Sequence, residues 1–193
     1  MPLKEMNACG DALKWCNGYE SLAEAWAVCQ RGDWMLWLLG KLSGKPESVS
    51  RKKLVLVACQ CARLALPYAK EGELRPLRAI EVTEAWARGD KGIRREDVRK
   101  AAYTTDAAAY TTHAAAHAAH AAYSAADAAD AAVAAYAAAY AAADAAAHAA
   151  YSAADAAADA AADAADTSRR STLEKCADIV RGYYPVAPKL KKK

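Results

Sequence analysis

The chain has 193 residues, enough for one domain or one domain with an elongated extension. Its 55% hydrophobic content is inflated by alanine: there is no Phe, and all five Trp and most Leu fall in the first hundred positions, where a conventional core belongs. A net charge of +3 conceals +5 over residues 1–100, −8 over 101–166 and +6 over 167–193; the acidic middle excludes nucleic acid as its partner, and its regular Asp residues exclude a membrane span.

The first ten residues read as loose, followed by a short helix over Asp11 to Cys16 that stops at Asn17-Gly18. Ser21-Leu22-Ala23-Glu24 is a capping box, in which the Ser hydroxyl satisfies an early amide and Glu reaches back, opening a helix through Trp26 to about Gln30. Arg31-Gly32 then breaks the chain, and Asp33 is expected to cap an apolar helix from Trp34 to about Leu42. After the loop Ser43-Gly44-Lys45-Pro46, Ser50 is the expected cap of a helix from Arg51 to about Leu66. That helix is apolar nearly all round, which marks it as the most buried one. Pro67 and Gly72 bound the next loop. Pro76 opens a helix that runs through Ile80 and Trp86 to Arg88, before the break at Gly89 to Gly92.

From Ile93 to Arg181 there is neither Gly nor Pro. Between Ala101 and Asp166 the sequence is alanine interrupted every third or fourth residue by Tyr, His, Asp or a small hydroxyl. The mean spacing of about three and a half residues is that of a left-handed helical seam, and alanine is the best helix former. Tyr123-Ser124-Ala125-Ala126-Asp127 recurs four heptads later as Tyr151-Ser152-Ala153-Ala154-Asp155. One unbroken helix over this tract would be about 100 Å long. On an ideal helix the seam swings sideways between residues 120 and 136, so the helix either supercoils or breaks near Tyr123 to Ala135. The usual length of globular helices favours a break, and the missing turn residues favour continuity. Bare alanine covers most of the remaining circumference, more apolar surface than a monomer leaves wet. The methyl faces are therefore expected to pack and the seam to face water.

A second capping box, Ser171-Thr172-Leu173-Glu174, is expected to open a separate helix over 171–182 that docks back on the bundle. The predicted organisation is thus all-α: a Trp/Leu-rich helical bundle over 1–92, the alanine-rich tract over 93–170, the docking helix over 171–182 and a basic tail over 183–193.

His113, His117 and His120 share one helical face, the spacing of a chelating pair. They stand where Tyr or Asp stands elsewhere in the seam, and no Glu lies beside them to act as a base, so no metal site, cofactor or catalytic residue is assigned. No phosphate-binding loop or nucleophile elbow occurs, and the chain is read as a non-enzyme. The six Cys lack zinc-site spacing, and the N-terminus lacks a secretory pattern; both point to core thiols and a cytoplasmic setting. Tyr103, Tyr110, Tyr123, Tyr136, Tyr140 and Tyr151, with Asp127, Asp130, Asp144 and Asp155, form the candidate partner-binding face, because tyrosine arrays beside carboxylates suit a basic protein partner. The alternative for these rings is that they cover alanine grooves within the fold.

The N-terminal residues also carry a family resemblance. Trp15-Cys16, Glu20-Ser21-Leu22-Ala23-Glu24-Ala25-Trp26 and Arg31-Gly32-Asp33-Trp34-Met35-Leu36-Trp37-Leu38 open it. Arg51 to Cys59, Cys61 to Tyr68, Arg75 to Glu81 and Glu84-Ala85-Trp86-Ala87 continue it, and Glu174 to Arg181 closes it. Together they resemble the alanine-rich immunity proteins of bacteria and phages. The resemblance implies a cytoplasmic neutraliser of a polymorphic toxin, with no catalytic residues. Relatives often mix Arg into the tract, where this chain has Asp, Tyr and His. Three roles follow in order: protein binding through the Tyr/Asp face, self-assembly through alanine faces paired between copies, and, distantly, ice or surface binding supported only by Thr104, Thr105, Thr111 and Thr112.

Overall fold

The computed structural model describes residues 3–69, 71–106, 125 and 158–190. Among these residues the protein is all-α, with no strand. Seven α-helices follow in order: α1 Gly10–Cys16, α2 Leu22–Val28, α3 Gly32–Leu42, α4 Val49–Arg63, α5 Arg75–Arg88, α6 Arg95–Asp106 and α7 Ala158–Tyr183, with a 3-10 turn at Leu66–Tyr68 between α4 and α5.

Helix α4 is the hub, packing on α3, α5 and α7. Leu54, Val55, Val57, Ala58, Cys59 and Cys61 are all fully buried, so the all-round apolar pattern has its expected consequence. Cys59 and Cys61 are core residues, their thiols raised chiefly by burial for Cys59 and by hydrogen bonding to Cys176 for Cys61. One polar clamp fastens α4 to α5. The Arg63 guanidinium donates two hydrogen bonds to the buried carboxylate of Glu84, at 2.9 and 2.7 Å, and the Gln60 amide adds a third at 3.0 Å. With its oxygens filled in this way, the buried carboxylate is compensated.

Local chemistry fixes several helix ends. At α2 the Ser21 hydroxyl accepts from the Glu24 amide at 3.2 Å while the Glu24 carboxylate accepts from the Glu20 amide at 3.1 Å, the expected capping box displaced by one amide. Gly89 ends α5 in the left-handed conformation, φ 83°, which a side chain disfavours.

Five expectations need correction. Residues 3–10 are not loose: Leu3 is buried in the core and its carbonyl accepts from the Met6 and Ala8 amides. Asp33 is not the cap of α3; the helix begins at Gly32, and the Asp33 carboxylate turns back to take both arms of Arg31 at 2.8 and 2.6 Å. A bidentate guanidinium is a stronger partner than a helix amide. The cap of α4 is Ser48, whose hydroxyl accepts from the Arg51 amide, while Ser50 accepts from Gly44 and helps hold the preceding loop. Arg51 is buried and donates twice to the Gly44 carbonyl, which ties that loop to the same helix end.

The fourth correction concerns Ser171. No helix starts there, because α7 runs unbroken from Ala158 to Tyr183 and the Thr172 hydroxyl donates to the Ser168 carbonyl inside it. A capping box requires extended backbone at its Ser, and nothing upstream of 171 interrupts the helix formers. Fifth, the tract boundary at 170/171 falls inside α7, whereas that at 92/93 lies in the loop between α5 and α6. Helix α6 packs on α5, placing Val98 and Ala102 in the same core as Leu54 and Ile80. Both described ends of the tract are therefore bundle helices.

Helix α7 closes the bundle against α3 and α4 through Leu173, Cys176, Ala177 and Val180. In its last turn Arg181 donates to the Cys29 carbonyl at 2.5 Å; beyond it, the Tyr184 carbonyl accepts from the Trp26 indole at 2.9 Å and Leu190 packs on the core. None of the helices among the described residues is long and apolar enough to cross a membrane.

Candidate functional site

Of the ten residues expected to bind a partner, Tyr103 is the one that the structure describes. Tyr110, Tyr123, Asp127, Asp130, Tyr136, Tyr140, Asp144, Tyr151 and Asp155 lie outside the described residues, as do His113, His117 and His120. What the structure does give is the orientation of the tract where it leaves the bundle. Ala102 is 4% exposed and sits in the core, while Tyr103, one residue on, is 70% exposed. Thr104 is exposed beside it, its hydroxyl donating back to the Ala101 carbonyl at 2.7 Å. A helix turns 100° per residue, so the core takes the methyl face and the ring is left on the wet side. Ala125 is fully buried against the same core, and Asp166, at the far end of the seam, is exposed.

A second place was missed in the sequence reading, which assigned every Trp to the core. Trp26 is buried, but Trp15, Trp34 and Trp37 are only partly so, and all four border a cavity of about 400 Å³ between the N-terminal turn and helices α1 to α3. Trp15 and Trp34 meet at a tilt of 60° with ring centroids 6.0 Å apart, and Tyr19 backs Trp15 at 4.8 Å. The guanidinium of Arg31, held by Asp33, lies over the Trp34 ring at 4.3 Å. Cys16 and Cys29 also line the cavity; burial raises the first thiol and pushes the second up to about 11, so both are uncharged at neutral pH. The signal available in the sequence was the pairing of Trp34 and Trp37 one helical turn apart with a charged corner at Arg31-Gly32-Asp33. An indole is a ring with one polar edge, suited to a half-wet position.

Among the described residues no three His, Cys, Asp or Glu side chains are grouped to hold a metal ion. The chain matches no protein-family model, no curated protein and no solved structure.

Proposed function

We propose that this chain is a non-catalytic protein-binding module of the immunity type, neutralising a basic toxin through the Tyr/Asp face of its alanine tract. The observation that carries the reading is the reversal between Ala102 and Tyr103, methyl inward and ring outward, at the point where the seam begins. We take the seam to keep that sense, with its rings and carboxylates on the side away from the core. The tract carries −8 in 66 residues without a single Lys, Arg or Glu, which steers a positively charged partner and disfavours acidic ones. Self-assembly through alanine faces is the second reading. It has less to draw on, because Ala102 and Ala125 are buried in the core of their own chain.

Affinity capture from the native host tests the proposal. The native chain is expected to retain a basic protein in a salt-sensitive manner. The variant carrying Tyr136→Ala, Tyr140→Ala and Tyr151→Ala should lose at least tenfold of that capture with its helicity unchanged. Equal capture by the native and triple-substituted chains would overturn the assignment of the seam as the contact surface. Light scattering across concentration tests the second reading, which a strictly monomeric chain removes.

A further inference from the structure

The Trp-lined cavity has a composition that the seam does not explain. Its volume of about 400 Å³ lies in the range of small-molecule sites, and its wall is dominated by indoles, aliphatic side chains and uncharged thiols. Among the described residues three charged ones border it. Arg31 and Asp33 neutralise each other through two short hydrogen bonds, leaving Lys41 as the single charge on the lining without an ion-pair partner among the described residues. Lys41 is exposed in the last turn of α3, its ammonium 5.7 Å from the Trp37 ring.

The free hydrogen-bonding capacity has the same bias. The Trp26 indole N–H is taken by the Tyr184 carbonyl, whereas those of Trp15, Trp34 and Trp37 hold no hydrogen bond among the described residues. A tryptophan can only donate. The cavity is thus bordered by an apolar wall, by three indoles whose N–H donors are spare, and by one cation at its rim.

We infer that this cavity is a binding site for a small amphipathic organic anion, with its apolar body in the indole-walled interior and its acidic group at Lys41. Indole and aliphatic walls take up the body, and the ammonium donates to the oxygens of the acidic group. A cationic ligand would meet Lys41, and a strongly polar one would leave its groups unpaired against the apolar wall. The site lies between the N-terminal turn, α1, α2 and α3, and no seam residue among the described ones borders it.

Two probes that share one body and differ in charge test the inference on the full chain. They are 8-anilinonaphthalene-1-sulfonate and the uncharged N-phenyl-1-naphthylamine. Both are expected to bind at a single saturable site and quench indole emission, the sulfonate more tightly. Lys41→Ala should weaken the sulfonate about tenfold while moving the neutral probe less than twofold. Ala8→Trp, which fills the cavity from its partly exposed edge, and Ala12→Phe, which fills it from α1, should abolish both. Circular dichroism identifies a filled variant that is still folded, and either one suffices. Absence of saturable binding by the folded native chain overturns the site, as does undiminished binding by a folded, filled variant. Equal affinity for the two probes, unchanged in Lys41→Ala, overturns the preference for an anion.

Discussion

Helix α4 and the alanine-rich helix ends are built by opposite means. In α4 the side chains are large and distinct, and each buried position has a shape of its own, from Leu54 to Cys61. Between Ala101 and Asp166 the described buried positions, Ala102 and Ala125, are alanines, which let backbones approach but carry little shape. Shape complementarity specifies a unique neighbour; methyl surface specifies only closeness. The comparison teaches that orientation in the tract must come from what cannot be buried, the phenols and carboxylates, rather than from what can.

The sharpest way to break that comparison is to reverse the two neighbours. Ala102→Asp puts a carboxylate at a position 4% exposed in the core and is expected to destabilise the protein by about 3 kcal/mol. Tyr103→Ala removes a much larger side chain from a position 70% exposed and should change stability by about 0.5 kcal/mol or less. Urea denaturation of the two variants checks both numbers. If truncating the ring costs as much as burying the charge, the ring is structural and the outward seam is lost.

A second test concerns small residues within the bundle itself. Gly32 opens α3 where it crosses α7: a methyl there would overlap the Cys176 side chain and lie 2.6 Å from the Ala177 amide nitrogen. Gly32→Ala is expected to cost about 2 kcal/mol, the overpacking penalty reduced by alanine's better helix propensity. A thermal midpoint unchanged in this variant would show that α7 can slide on α3. The sequence reading took Gly32 for a breaker and Asp33 for a cap, since both roles are local and the true constraint lies some 140 residues away.

That contrast runs through the molecule. The all-α class, the buried character of α4, the Ser21 cap and the Gly89 stop were legible, because period, propensity and capping act within a few residues. The Arg63–Glu84 clamp, the Tyr184 strap on Trp26 and the Trp-lined cavity were not. Each depends on which faces meet, and no local pattern encodes a meeting. Of the expected binding face, only the root at Tyr103 falls within the described residues.

The smallest effects sharpen the comparison furthest, since two identical motifs are read in two contexts. Ser21-Leu22-Ala23-Glu24 and Ser171-Thr172-Leu173-Glu174 are the same capping box in sequence. At Ser21 the backbone is extended and the hydroxyl accepts an amide, so Ser21→Ala should cost about 1 kcal/mol. Ser171 lies inside α7, where serine is a poorer helix former than alanine, so Ser171→Ala should raise stability by about 0.3 kcal/mol. Paired denaturation curves for the two variants decide the matter, because the signs differ. A loss of stability in Ser171→Ala equal to that in Ser21→Ala would mean that a helix does begin there. The tract would then be separated from the docking helix, rather than continuous with it as α7 has it.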